Sequence, residues 1–125
     1  MRILLDTHIL LWASQGSRKL GSRARRIMMV ADELFFSSAS LWEMSIKASL
    51  GRLQIDWNLL LTGLRGMQVR ELRISWEHAL ALKTLPLVSK DPFDRMLIAQ
   101  AISEPLVLLT RDHALSGYGD CVMLV

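Results

Sequence analysis

One cysteine, Cys121, stands among the 125 residues, so an internal disulfide has no second thiol and a cysteine-based zinc cluster has no ligands. No uninterrupted apolar run approaches the roughly 20 residues that a bilayer span requires. Asp6 also interrupts the opening MRILLDTHILLWA before a signal-peptide apolar region can form. A reducing, cytoplasmic setting with no membrane association is expected. The three histidines form no pair at metal-ligand spacing, which disfavours zinc. Linkers, repeats and low-complexity segments are missing as well, so a single domain over 1–125 is expected.

An excess of one charge is also nearly lacking. Fifteen Lys and Arg against twelve Asp and Glu leave a formal net charge of +3, which suits a polyanionic partner without requiring one. Hydrophobic residues make up 51% of the chain, rather apolar for a soluble protein of this size. That points to surface covered by a partner or by a second copy, and a homodimer is expected.

Short apolar runs alternate with amphipathic stretches. Arg2 to Leu5 reads as a strand ending at Asp6, and Thr7 to Ala13 as a short helix with Asp6 or Thr7 as its cap. Between Ser22 and Ala31, the residues Ala24, Ile27, Met28 and Ala31 fall at i, i+3, i+4 and i+7, with Arg23, Arg25 and Arg26 elsewhere on the wheel. Leu34 to Ser37 predicts a buried strand, followed from Ser38 by a helix that stops at Gly51. Trp57 to Leu64 predicts a helix, Arg70 to Ile74 a strand and Trp76 to Lys83 a helix. Asp91-Pro92-Phe93-Asp94 is a strong helix start, since Asp caps free amides and Pro suits the first helical position. Leu106 to Leu109 and Val122 to Leu124 read as closing strands. This alternation predicts an α/β domain with a mostly parallel sheet covered on both faces.

Ligands of such sheets bind beyond the carboxyl ends of the strands. Four acids fall where that rule points: Asp6 after the first strand, Glu43 early in the helix after LFFS, Asp94 in the first turn of the penultimate helix, and Asp112 after LVLL. Each also has an ordinary reading. Asp6 and Asp112 suit helix or turn caps, Glu43 with Lys47 forms an i, i+4 pair, and Asp94 suits a positive helix end. Taken together they change meaning, because carboxylates gathered in one cavity repel and a cation removes the conflict. Oxygen donors alone select a hard ion, Mg²⁺ or Mn²⁺. Such an ion activates water and stabilises charge on a scissile phosphate, which makes a phosphodiester the natural substrate.

LLDTHILLW, SSASLWEMSIK, DPFDRMLIAQA and LLTRD resemble, in order and spacing, the four acidic blocks of the PIN-domain ribonucleases, in the branch of the VapC-like toxins. The resemblance covers nearly the whole chain. It implies a three-layer α/β/α sandwich around the parallel sheet, Mg²⁺ or Mn²⁺ at the acidic pocket, cleavage of single-stranded or loop RNA, and inhibition by a VapB-like antitoxin that also binds operator DNA. Carried over by position, it makes Asp6, Glu43 and Asp94 the metal-binding acids and Asp112 the fourth. Asp91 also opens the third block, but has the better claim as helix cap. Thr7, Ser38 and Thr110 are candidates to orient an acid or water, although short polar residues after strands also serve as caps. Arg95 adjoins the pocket as either a phosphate contact or a solvated cation. His8 and His113 receive no catalytic role. The basic residues Arg18, Lys19, Arg23, Arg25 and Arg26 suit RNA or an acidic antitoxin segment, or simply a solvated face.

Two rivals stand beside the metal-assisted nuclease. A degenerate fold of the same kind would hold RNA or protein without cutting; the presence of all four acids speaks against it. A Mg²⁺-dependent phosphatase with Asp6 as nucleophile would commonly want a second Asp two residues on, where His8 stands.

Overall fold

A computed structural model describes all 125 residues. Five strands, β1 (Arg2–Leu5), β2 (Glu33–Ser37), β3 (Arg70–Leu72), β4 (Val107–Thr110) and β5 (Val122–Leu124), pair in parallel in the order β3-β2-β1-β4-β5. Six helices connect them: α1 (Thr7–Gln15), α2 (Ser22–Val30), α3 (Ser38–Ser49), α4 (Trp57–Gly66), α5 (Trp76–Ala81) and α6 (Pro92–Ser103). The sheet is wholly parallel, as the alternating run of strands and helices implies. None of the helices is long and apolar enough to cross a membrane.

Successive strand residues point to opposite faces, and here both faces are apolar. Ile3, Leu5, Phe36 and Leu109 join Ile9 and Leu10 of α1, Ala24 and Met28 of α2, Met44 of α3, and Leu60 and Leu64 of α4. Leu4, Phe35 and Leu108 instead meet Leu97, Ile98 and Ala101 of α6, against which α5 packs in turn. Continuous apolar strands such as RILL and VLLT are therefore what a sheet buried on both sides requires. The result is the expected α/β/α sandwich.

Helix ends follow local chemistry. Ser37 accepts from the Ala39 amide at 3.0 Å and starts α3, and Asp91 accepts from the Phe93 and Asp94 amides at 2.8 and 3.1 Å, with Pro92 in the first turn of α6. Each such cap stabilises its helix by about 1 kcal/mol. α1 ends at Gly16, whose φ of 63° places it in the left-handed region that glycine occupies without penalty.

Strand β3 stops at Leu72, two residues short of the expected end, because the Ile74 amide donates to the Ser38 hydroxyl instead of the sheet. Between β4 and β5, His113–Tyr118 forms a 3₁₀ helix capped by Asp112.

From β1 the chain steps outward to β2 and β3, then returns to place β4 on the other side of β1. The strand order therefore reverses between β1 and β4, and in sheets of this kind ligands bind at the carboxyl ends of the strands at such a point.

Candidate active site

Asp6 directly follows β1, and Thr110 is the last residue of β4. Thr110 is fully buried, and its hydroxyl donates to Asp6 Oδ2 at 2.5 Å while accepting the Asp112 amide at 3.0 Å. The other carboxylate oxygen of Asp6 accepts the Thr7 amide at 2.7 Å. Burial raises the Asp6 pKa above its ordinary value; the bonds from Thr110 and Thr7 and the nearby His8 oppose the rise, and Glu43 adds to it.

Glu43 reaches the same place from α3. Its Oε1 lies 3.0 Å from the Thr7 hydroxyl, and its Oε2 accepts from Lys47 Nζ at 2.8 Å. Thr7 has one hydroxyl proton, which goes to Glu43. The Ser40 hydroxyl, 2.9 Å from Thr7 Oγ1, is then placed to donate back to it. Thr7 thus joins the Asp6 and Glu43 carboxylates through its amide and its hydroxyl.

Asp94 enters from the first turn of α6. Its pKa is pushed up to about 7, first by burial and then by the negative charges of Asp91, Asp6, Glu43 and Asp112. Three other segments, carrying Asp6, Glu43 and Asp112, thus each place a negative charge that Asp94 senses. Asp112 stands at the exposed edge, where it caps the 3₁₀ helix by accepting the Ala114 amide at 3.0 Å. The ordinary readings of these acids hold together with their convergence. Asp6 and Asp112 do cap, Glu43 does pair with Lys47, and the cap on α6 falls to Asp91, which leaves the Asp94 carboxylate free of that duty.

The donor chemistry fits a hard divalent ion: oxygen only, more than one negative charge, and a neighbour held half-neutral near pH 7 by burial and by the charges around it. The side chains are not drawn together around such an ion, and no three His, Cys, Asp or Glu groups stand close enough to hold one as they are.

A family model described as the PIN domain matches residues 3–120. The chain belongs to the PIN domain family. It is 28% identical over 119 residues to ribonuclease VapC22 of Mycobacterium tuberculosis, covering 93% of this chain and 91% of that protein. The fold is shared with solved chains from VapBC2 of Rickettsia felis bound to a promoter DNA fragment (TM-score 0.69, 15% identity, 100% and 98% of the two chains). It is also shared with a toxin-antitoxin complex of Klebsiella pneumoniae (TM-score 0.67, 20% identity, 97% and 95%) and with DNA-bound VapBC of Salmonella typhimurium (TM-score 0.64, 18% identity, 93% and 91%).

Within this PIN domain, two of the three short polar residues singled out from the sequence touch the acids, namely Thr7 and Thr110. Ser38 does not; its hydroxyl accepts the Ile74 amide at 3.3 Å. The guanidinium of Arg95 is engaged by carbonyls of the Leu85–Ser89 segment and by the Tyr118 hydroxyl rather than standing free in solvent. Ser40 went unnoticed in the sequence, although its position three residues before Glu43 puts both on one side of α3. His8 is exposed beside Trp12, with ring centroids 5.7 Å apart.

Proposed function

We propose that this PIN domain is a Mg²⁺- or Mn²⁺-dependent endoribonuclease acting on single-stranded or loop RNA, and the toxin of a toxin-antitoxin pair in the cytoplasm. The observation that carries the reading is the convergence of the Asp6, Glu43, Asp94 and Asp112 charges at the point where the strand order reverses. The named relatives support the choice of RNA and of an antitoxin partner.

Asp6, Glu43 and Asp94 would hold the ion, with Asp112 at the open edge. When bound, the ion supplies Lewis-acid charge for the phosphodiester and for the attacking water. Thr110 and Thr7 fix both oxygens of Asp6, so that carboxylate presents a single orientation. Thr7 and Ser40 do the same for one oxygen of Glu43. Asp94, held half-neutral near pH 7, becomes fully ionised when a cation offsets its neighbours.

Exposed Met29 and Val30 on α2, beside Arg23, Arg25 and Arg26, and exposed Trp42, Trp76 and Leu80 on α3 and α5, support protein partners. These would be a VapB-like antitoxin and a second copy of the chain in a homodimer.

The decisive experiment is single-turnover cleavage of defined RNAs by purified protein with Mn²⁺, with excess chelator, and with Asp6→Asn. Cleavage lost in the second and third conditions, with the fold retained by circular dichroism, supports the reading. Unchanged cleavage in chelator removes the metal. Absence of cleavage together with RNA binding favours the non-catalytic module instead.

A further inference from the structure

Arg95 follows Asp94 directly and yet pairs with no carboxylate. Its Nη1 lies 3.1 Å from the Pro86 carbonyl, 3.2 Å from that of Ser89 and 3.4 Å from the Tyr118 hydroxyl, and its Nη2 lies 3.4 Å from the Leu85 carbonyl. Tyr118 in turn accepts the Ser89 amide at 3.0 Å. A Cβ on Gly117 would stand 2.9 Å from Val88 Cγ1, so the same loop presses on the 3₁₀ helix one residue earlier. Three segments therefore meet at one guanidinium: the first turn of α6, which carries Asp94; the 3₁₀ helix, which Asp112 caps; and the loop that runs into Asp91. A planar fork with donors on both arms is the only side chain that spans such a set of acceptors, and a lysine ammonium is a single point that does not.

We propose that Arg95 is a positioning residue that fixes the spacing between the Asp94 and Asp112 segments through the Leu85–Ser89 loop and Tyr118, and so sets how well the acids take a divalent ion. This rests on the ribonuclease reading for its consequence in catalysis, but not for its consequence in metal binding. Arg95 touches neither substrate nor ion. It acts through two segments that end in acids. Tyr118 is its counterpart on the 3₁₀ helix, and Gly117 provides the close approach that lets the loop reach both.

The test compares Arg95→Ala, Arg95→Lys and the milder Tyr118→Phe with wild type. Mn²⁺ affinity is read by calorimetry on unreacted protein, thermal midpoints are recorded separately, and RNA cleavage is split into kcat and KM. Loss of a supporting partner around metal ligands commonly weakens affinity or activity about 10- to 100-fold. Arg95→Ala is expected to lose that much Mn²⁺ affinity and kcat with KM nearly unchanged. Arg95→Lys should recover little, Tyr118→Phe should fall between, and millimolar guanidinium ion should partly rescue Arg95→Ala.

A raised KM with kcat and Mn²⁺ affinity intact would mean a phosphate contact and would overturn the proposal. A lowered thermal midpoint with Mn²⁺ affinity unchanged well below it would mean a purely structural clamp and would overturn it too. Should wild type bind Mn²⁺ but leave RNA uncut, the ribonuclease reading fails while the calorimetric comparison still decides the role of Arg95.

Discussion

Thr110 and Asp6, 104 residues apart in the chain, share a buried hydrogen bond of 2.5 Å that ties the carboxyl end of β4 to that of β1. The same hydroxyl accepts the Asp112 amide, so one side chain aligns two of the acids. Thr110→Val keeps the shape and removes both bonds. The unpaired buried carboxylate oxygen should cost about 1–3 kcal/mol of stability, and Asp6 should become harder to ionise, since the Thr110 bond is the chief influence holding its pKa down. Denaturant unfolding and Mn²⁺ titration check the two effects, and an unchanged Mn²⁺ affinity would show that the bond serves folding alone.

Asp94 makes the metal-free protein less stable as pH rises. Its carboxyl ionises at about 7 in the folded chain and at 3.8 ordinarily, so between those values the folded state holds a proton that the unfolded state has released. Stability therefore falls from about pH 4 to about pH 7 and levels above. With chelator present, the thermal midpoint should be higher at pH 5 than at pH 8, after subtraction of the same difference in Asp94→Asn. Mg²⁺ should close the gap at pH 8, because the cation replaces the proton. A wild-type profile identical to that of Asp94→Asn would show that the charges do not meet.

Asp91 and Asp94 divide two tasks between them, and substitution separates these. Asp91→Ala removes the cap that binds the Phe93 and Asp94 amides and should cost about 1 kcal/mol. It also removes the negative charge that raises the Asp94 pKa more than Asp6, Glu43 or Asp112 does, so the Asp94 pKa should fall while metal-dependent activity largely survives. Asp94→Asn should do the reverse, with stability held or raised and activity lost. Thermal melts beside RNA cleavage for the two variants check the assignment.

Several of these features could be read from the sequence, and the reason differs from those that could not. β5 and the start of α6 are set by neighbours in the chain: an apolar run between turns, and Asp-Pro at the cap. Glu43 with Lys47 follows from helix spacing alone. The order of the strands, and with it the meeting of Asp6 with Thr110, depends on which side of β1 the chain returns to after α6, and no local pattern encodes that. The fate of Arg95 depends on the path of the Leu85–Ser89 loop. His78 is another residue that local pattern hides. It is buried, its Nδ1 accepts the Ser75 amide at 3.0 Å, and its Nε2 meets Glu104 at 2.6 Å. A histidine at the third position of α5 completes a capping box that is more often closed by Glu or Gln.

Lys47 competes with any cation for Glu43. Its ammonium lies 2.8 Å from Glu43 Oε2, and the side chain is substantially exposed, so the pair adds only about 0.2–0.5 kcal/mol to α3. Lys47→Gln should leave the thermal midpoint nearly unchanged. Removing the ammonium frees one carboxylate oxygen but deepens the repulsion among the acids, and both effects favour an incoming divalent ion. Mn²⁺ should therefore bind more tightly in Lys47→Gln than in wild type, and the difference should shrink at high salt, where exposed charges are screened. Weaker Mn²⁺ binding in the variant would mean that Lys47 orients Glu43 for the ion instead of opposing it.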